Sequence, residues 1–265
     1  MIELHNGEAL TVLDELINKG ITVDAIICDP PFGTTSCKWD SVIPFDDMWE
    51  RLNKILKPHG AILLCASQPF TAALIMSNVA NFKHEWIWIK NRGSNFANTV
   101  REPMKEHESV LMFGTNKWTY NKQMQSRTGG GAERAKYTVD FSSADREGTR
   151  KFEGRKDNTL TKLRVPSSWQ KFNTEVGKHP TQKPVLLMEY LVKTYTNEGE
   201  TVLDFTMGSG TTMVACKHLN RNGIGIELEE RYFKIAQERV EVANIHFNQV
   251  EAENIVEDSA GNSIF

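Results

Sequence analysis

Short apolar runs alternate with amphipathic stretches at both ends of the chain. Val23-Asp-Ala-Ile-Ile-Cys28 is a largely apolar run bounded by turn residues, which predicts a buried strand. Phe45, Met48, Trp49, Leu52, Ile55 and Leu56 recur at helical spacing, and Lys57-Pro-His-Gly60 ends that helix. Ala61-Ile-Leu-Leu-Cys65 predicts a second buried strand, and Phe70 to Val79 a helix. Glu85 to Lys90 reads as a strand that Ser109 to Phe113 joins as a hairpin across a longer loop. Beyond residue 180 the pattern predicts a helix over Val185–Tyr195, a strand over Thr201–Phe205 and a helix over Thr211–Leu219. A strand over Gly223–Glu227 and a helix over Arg231–Val240 follow, and residues past about 245 read as a weakly ordered tail. Strand–helix alternation implies a parallel sheet covered on both faces, where ligands collect beyond the carboxyl ends of the strands. Two loops are singled out by that rule, one after Cys28 and one after Phe205.

Composition adds limits. At 265 residues, 40% hydrophobic and 25% charged, the chain suits one large domain or one domain with a sizeable insertion. No run of 18 apolar residues occurs, and Met1-Ile-Glu-Leu-His5 has neither a basic flank nor an apolar stretch, which reads against a membrane span or secretory signal. Cys28, Cys37, Cys65 and Cys216 form no Cys-x-x-Cys pair, so reduced thiols and a cytoplasmic location are expected, with no metal. Charge is segregated. Residues 115–175 hold 13 Lys and Arg against seven acids, a net +6, which leaves −9 for the rest of a chain whose total is −3. A basic middle between acidic flanks is the footprint of a polyanion-binding element. A solvated loop is the alternative, favoured by Gly129-Gly-Gly131 and by the scarcity of Val, Ile and Leu.

The later loop, Asp204-Phe-Thr-Met-Gly-Ser-Gly-Thr-Thr212, leaves a strand, passes through Gly-x-Gly and enters a helix. Glycines there permit a tight turn and close approach of a ligand to the backbone. Glu227 ends the next strand, 17 residues beyond Gly210, where an acid commonly accepts both hydroxyls of a ribose. No Lys follows Gly210, which argues against a triphosphate loop. The earlier loop is Asp29-Pro-Pro-Phe32. Two prolines fix their φ and aim their carbonyls in set directions. A carboxylate, a rigid carbonyl and an aromatic face suit a planar ring with an exocyclic amine: its hydrogens go to Asp29 and the Pro30 carbonyl, and Phe32 stacks on the ring. Cys28 lies within the strand and reads as core, as do Trp86 and Trp88.

Asp29-Pro-Pro-Phe32 paired with Asp204-Phe-x-x-Gly-x-Gly210 resembles the S-adenosylmethionine-dependent DNA amino-methyltransferases, and the order of the two motifs is similar to their beta class. The resemblance covers roughly residues 2–113 and 178–240, including Trp88-x-Lys90, His107-Glu108 and His179-Pro-Thr-Gln-Lys-Pro184. It implies a doubly wound, mostly parallel, seven-stranded Rossmann-like α/β sheet with a β-hairpin on its C-terminal side and an inserted recognition region. Residues 1–113 then form the catalytic half, 114–178 the target-recognition insertion, 179–245 the cofactor half and 246–265 the tail.

Roles follow from the same resemblance. Asp29, Pro30, Pro31 and Phe32 are implied as catalytic, with Asp29 also facing the cofactor. Phe205, Gly208, Ser209, Gly210 and Thr211 line the cofactor pocket, Asp204 lies near the methionine end, and Glu227 binds the ribose. Lys183 is implied as partner of the methionine carboxylate, and Glu8 stands where the family usually has an Asp facing the adenine amine. Lys90 and Arg92, with Arg127, Arg134 and Lys136 of the basic segment, are expected on DNA phosphates. The implied activity is site-specific methylation of adenine N6 in a base everted from duplex DNA. Cytosine N4 is the alternative, ahead of an RNA or protein-glutamine methyltransferase or an inactive DNA-binding module. A homodimer and a cognate restriction endonuclease are further partners in the resembling class; no membrane partner is expected.

Overall fold

The computed structural model describes residues 1–35, 37, 40–115, 117–126, 163–175 and 181–253, with side chains described as far as residue 243. Two compact units result: Met1–Asn121 with Ser168–Phe265, and Lys122–Ser167. In the larger unit the chain runs β1 (Ile2–Asn6), α1 (Ala9–Asn18), β2 (Val23–Cys28), α2 (Phe45–Ile55) and β3 (Leu56–Ala66). Then come α3 (Phe70–Ser77), β4 (Phe82–Ile89), a 3-10 turn (Phe96–Asn98) and β5 (His107–Phe113). The smaller unit contributes β6 (Gln125–Ser126) and β7 (Leu163–Arg164), which pair antiparallel. Returning to the larger unit, β8 (Trp169–Lys171), α4 (Val185–Tyr195), β9 (Thr201–Asp204), α5 (Thr211–His218), β10 (Asn222–Glu227) and α6 (Glu230–Glu253) complete the fold.

The sheet order is β1-β10-β9-β2-β3-β5-β4-β8. Only β5 runs against its neighbours; every other pairing in this sheet is parallel. Strand order reverses between β9 and β2, the kind of switch point where open α/β sheets bind ligands. Period-two alternation sends Ala25 and Ile27 to one face, among Leu187, Leu191, Met213 and Ala236 of α4, α5 and α6. Ile26 and Cys28 point to the other, among Leu13, Leu52 and Leu74 of α1, α2 and α3. Apolar residues on both faces explain why β2 reads as a continuous run.

Several expectations change. The sheet has eight strands, not seven: β8 lies in the stretch assigned to the insertion and pairs Trp169 to Lys171 with Ile87 to Ile89 at the edge. Trp-Gln-Lys has no strand pattern of its own; the unpaired backbone groups of β4 recruit it. The hairpin of β4 and β5 falls in the first half of the chain, not on its C-terminal side, because the motif order is permuted. Lys57 to Gly60, expected to end a helix, lies within β3, where the register with β2 shifts and Pro58 is tolerated. The closing helix α6 continues to Glu253, into the expected tail. Among the described residues, no helix is long and apolar enough to cross a membrane.

Gly210 opens α5 at φ +79°, and a Cβ there would lie 2.8 Å from the Ala236 Cβ and 3.2 Å from its Cα on α6. A left-handed backbone and a close helix both demand glycine. Gly210→Ala is expected to lose about 2–3 kcal/mol of stability in urea unfolding.

Candidate active site

Parallel pairing of β2 with β9, Ala25 beside Val202 and Ile26 beside Leu203, makes the two singled-out loops neighbours. The Thr206 hydroxyl donates to the Asp29 carbonyl at 3.1 Å, and Cys28 Sγ lies 2.9 Å from Thr206 Oγ1. Cys28 itself is fully buried, and burial pushes its thiol far up, which fits core packing.

Beyond these strand ends lies a cavity of about 330 Å³, lined among others by Glu8, Asp29, Lys183, Asp204, Gly208 and Glu227. Pro31, Phe205, Ser209 and Thr211 also line it. Gly210 does not; it sets the turn behind the wall. Gly208 takes φ +54° and donates its amide to Glu227 Oε2 at 2.9 Å, while the Glu229 amide donates to Oε1 at 2.8 Å. Glu227 is thereby fixed at the strand end, and burial raises its pKa although these amides oppose the shift. Arg239 of α6 fastens the turn from outside. It donates to the Ser209 carbonyl at 2.7 Å, the Ser209 hydroxyl at 2.8 Å and the Thr211 hydroxyl at 3.0 Å. Ser209 also donates to the Gln182 side-chain carbonyl at 3.0 Å. Neither Arg239 nor Gln182 was singled out from sequence for this role; a basic residue within an amphipathic helix normally faces solvent.

Deeper in, a chain of charges connects four elements. Lys183 Nζ, 6% exposed, donates to Asp29 Oδ2 at 2.6 Å and lies 3.4 Å from Glu108 Oε2. Glu108 is in turn ion-paired with Lys90, 8% exposed. Burial alone would lower the Lys183 pKa, but the carboxylates of Asp29 and Glu108 push it above the usual lysine range. Burial raises Asp29, with Lys183 drawing it partly back. For Glu108, burial opposes ionisation, yet Lys183 and Lys90 bring its pKa below the ordinary value. Asp29 Oδ1 is buried and has no hydrogen-bond partner among the described residues. One carboxylate oxygen is held and the other left to accept.

Three expected contacts come out differently. Lys183 is engaged by Asp29 and Glu108, although it still lines the cavity. Lys90, expected on a phosphate, is buried in its pair with Glu108, because β4 and β5 set Trp88 opposite Glu108 at the strand end. Glu8 turns back as the N-cap of α1, accepting from the Leu10 amide at 2.9 Å and the Thr11 amide at 2.8 Å. Burial would raise its pKa; these hydrogen bonds lower it. Pro30 is buried, and Phe32 stacks on Phe70 with centroids 5.1 Å apart. Arg92 is exposed, whereas Arg127, Arg134 and Lys136 lie outside the described residues.

A carboxylate with a free acceptor, beside a glycine turn and a backbone-fixed acid, suits a nucleoside-like ligand with an amine brought to Asp29. Comparison with known proteins agrees. The DNA methylase family matches residues 23–238, and the chain belongs to that family. Type II methyltransferase M.HpaI of Haemophilus parainfluenzae is 28% identical over 240 residues, 83% of this chain and 68% of that protein. M1.MboII of Moraxella bovis is 27% identical over 266 residues, 94% of this chain and 97% of its own. Among solved structures, the M1.HpyAVI–SAM complex superposes with TM-score 0.63 at 28% identity, covering 90% of this chain and all of that one. The cytosine-N4-specific PvuII methyltransferase shares the fold, with TM-score 0.61 at 14% identity over 94% of this chain and 92% of its own.

Asp204 is buried and accepts the Thr206 amide at 3.2 Å; burial pushes its pKa up to about 7 against that bond and those of Thr212 and Cys28. The folded carboxyl therefore keeps its proton to about pH 7, whereas the unfolded one loses it near pH 4. Over that window the folded state binds more protons, so this contribution to stability falls as pH rises and is level above it. Asp204→Asn is expected to gain stability relative to wild type as pH increases, read from urea midpoints across the window; a constant difference would contradict the buried carboxyl.

Proposed function

We propose that the protein is a site-specific DNA methyltransferase acting on adenine N6 with S-adenosylmethionine as methyl donor. One observation carries the reading: Asp29 offers an unpartnered carboxylate oxygen beside a cavity that also holds the Gly208 turn and Glu227. The residues present fit the donor. A cavity of about 330 Å³ is within the usual small-molecule range. Glu227 would take the ribose, the Phe205 and Gly208–Thr211 wall the nucleoside, and Asp204 the side nearest the sulfonium. S-adenosylmethionine supplies, when bound, a methyl group made electrophilic by its sulfonium.

The remaining work belongs to the chain. An exocyclic amine is a poor nucleophile because its lone pair is delocalised into the ring. Asp29 Oδ1 accepts one amine hydrogen and the Pro30 carbonyl the other, which favours a pyramidal nitrogen with its lone pair directed at the methyl. Lys183 holds the other Asp29 oxygen, so the acceptor is fixed before the base arrives. Such positioning and preorganised electrostatics need no covalent intermediate. Inside a duplex the amine is paired, so the nucleotide must be everted at a cost of a few kcal/mol. Stacking on Phe32 offsets part of that, about 1–3 kcal/mol per base.

An Asp at the head of the motif, where cytosine-N4 members of the family often carry Ser, favours adenine. The basic segment within 114–178 is read as the target-recognition region, with Arg127, Arg134 and Lys136 on phosphates. Duplex DNA is the partner this charge fits; a cognate restriction endonuclease is a further proposed partner, which the Type II names of the relatives support.

Nucleoside mass spectrometry and methylation-sensitive sequencing of DNA from expressing cells are expected to show N6-methyladenine at one short sequence. N4-methylcytosine instead would overturn the base, and no modification the activity. Asp29→Ala is expected to bind DNA as wild type does while turnover falls by about 10²–10³. Replacing Arg127, Arg134 and Lys136 by Gln is expected to weaken DNA binding and reduce the salt slope by roughly 2–3, measured by fluorescence anisotropy across salt concentrations.

A further inference from the structure

The loop from Lys90 to Glu106, between β4 and β5, holds apolar side chains outward. Phe96 is 70% exposed and Val100 86% exposed. Their exposure does not come from a lack of local order. The Asn95 side chain donates to Glu102 Oε1 and the Pro103 carbonyl, both at 3.0 Å, and accepts the Lys105 amide at 2.7 Å. Ser94 donates its amide to the Lys105 carbonyl at 3.2 Å, and Thr99 its hydroxyl to the Phe96 carbonyl at 2.9 Å. Gly93 admits Met104 so closely that a Cβ would lie 2.0 Å from its Cγ. Met104 is half-buried against Gly93 and the Asn95 side chain bonds within the loop, while Phe96 stays on the outside. An aromatic ring kept in water forgoes the burial that normally stabilises it, which calls for a partner.

The loop's position and charge say which one. Its root is Lys90, whose amide donates to the Glu106 carbonyl at 2.8 Å and whose ammonium pairs with Glu108. Glu108 leads through Lys183 to Asp29, so the loop emerges two ion-pair partners away from the proposed acceptor. Arg92, Arg101 and Lys105 on it are exposed, while of its two acids Glu102 is held by Asn95 and only Glu106 is exposed. Cations flanking an outward aromatic match a polyanion that offers an apolar gap. A duplex from which one base has been everted has such a gap between the neighbouring bases.

We propose that Phe96, supported by Val100, is a wedge that enters the duplex where the target base has left, with Arg92 and Arg101 on the flanking phosphates. This rests on the reading of the chain as a base-everting DNA methyltransferase. The wedge lowers the cost of the open state and so acts before chemistry. It matters on a matched duplex and ceases to matter where the target is already unpaired.

The test uses the full chain and duplexes carrying the sequence it methylates, with 2-aminopurine replacing the target adenine for fluorescence. Wild type is expected to raise 2-aminopurine fluorescence on binding. Phe96→Ala is expected to lose most of that rise and about tenfold in kcat/KM on matched DNA. On a duplex with an abasic site opposite the target it should return to within about twofold of wild type, and Phe96→Trp should restore the matched-duplex rate. Equal losses on both substrates, or none on either, would overturn the wedge; so would a change from dimer to monomer in sedimentation with eversion intact, which would assign the ring to a second copy. Failure of wild type to methylate DNA would instead strike the underlying function, which separates the two.

Discussion

The pairing of β2 with β9 is the constraint on which the rest depends. Neighbouring strands lie about 4.7–4.9 Å apart, so strand ends at matching register bring Asp29 and Asp204 together across most of the chain's length. Thr206 locks that junction by bonding the Asp29 carbonyl, next to Cys28. The Asp29 charge raises the Asp204 pKa further, a smaller effect than burial, which raises both acids. The site is therefore electrostatically loaded before any ligand enters, and its two acids are resolved differently. Asp29 is given a lysine; Asp204 is left to hold a proton to about pH 7.

That lysine explains the other buried charges. Alone, Lys183 would be costly at its depth, and Asp29 and Glu108 both face it. Glu108 supplies the second negative charge and Lys90 the second positive one, so the chain of four is neutral overall. Buried ion pairs seldom add net stability against an apolar alternative, yet removing one member commonly costs about 3–5 kcal/mol. Their value here lies in placement. β2, β4, β5 and the segment entering α4 each contribute one charge, and mutual attraction fixes the Asp29 carboxylate without exhausting its acceptors.

Much of this was legible in the sequence where local chemistry and long-range packing agree. β2 reads as a strand because both its faces are buried; Asp29-Pro-Pro-Phe32 and the Gly208–Gly210 turn announce themselves through residues whose backbone demands are rare. Glu227 stood at the expected interval. The unread parts depend on partners remote in sequence. β1 has only Ile2 and Leu4 to signal a strand, and β8 exists because an edge is available to it. Lys90 and Arg92 look equivalent as basic residues, but the register of β4 against β5 buries one beside Glu108 and leaves the other in water. Glu8 is one methylene longer than the acid usual there, and that length lets both oxygens reach back to the α1 amides.

The two walls of the cavity are consequently built by different physics. The turn at Gly208 and Gly210 is held by hydrogen bonds that Arg239 donates to Ser209, Ser209 donates to Gln182, and the Gly208 amide donates to the Glu227 carboxylate. The opposite wall, Asp29 and Asp204, is held by charge, and its state depends on what lies beside it. A cation next to Asp204 favours its ionised form, whereas the Asp29 charge one strand over favours the protonated one. Coupling through adjacent strand ends requires no movement of the backbone, only the register that put the two acids side by side.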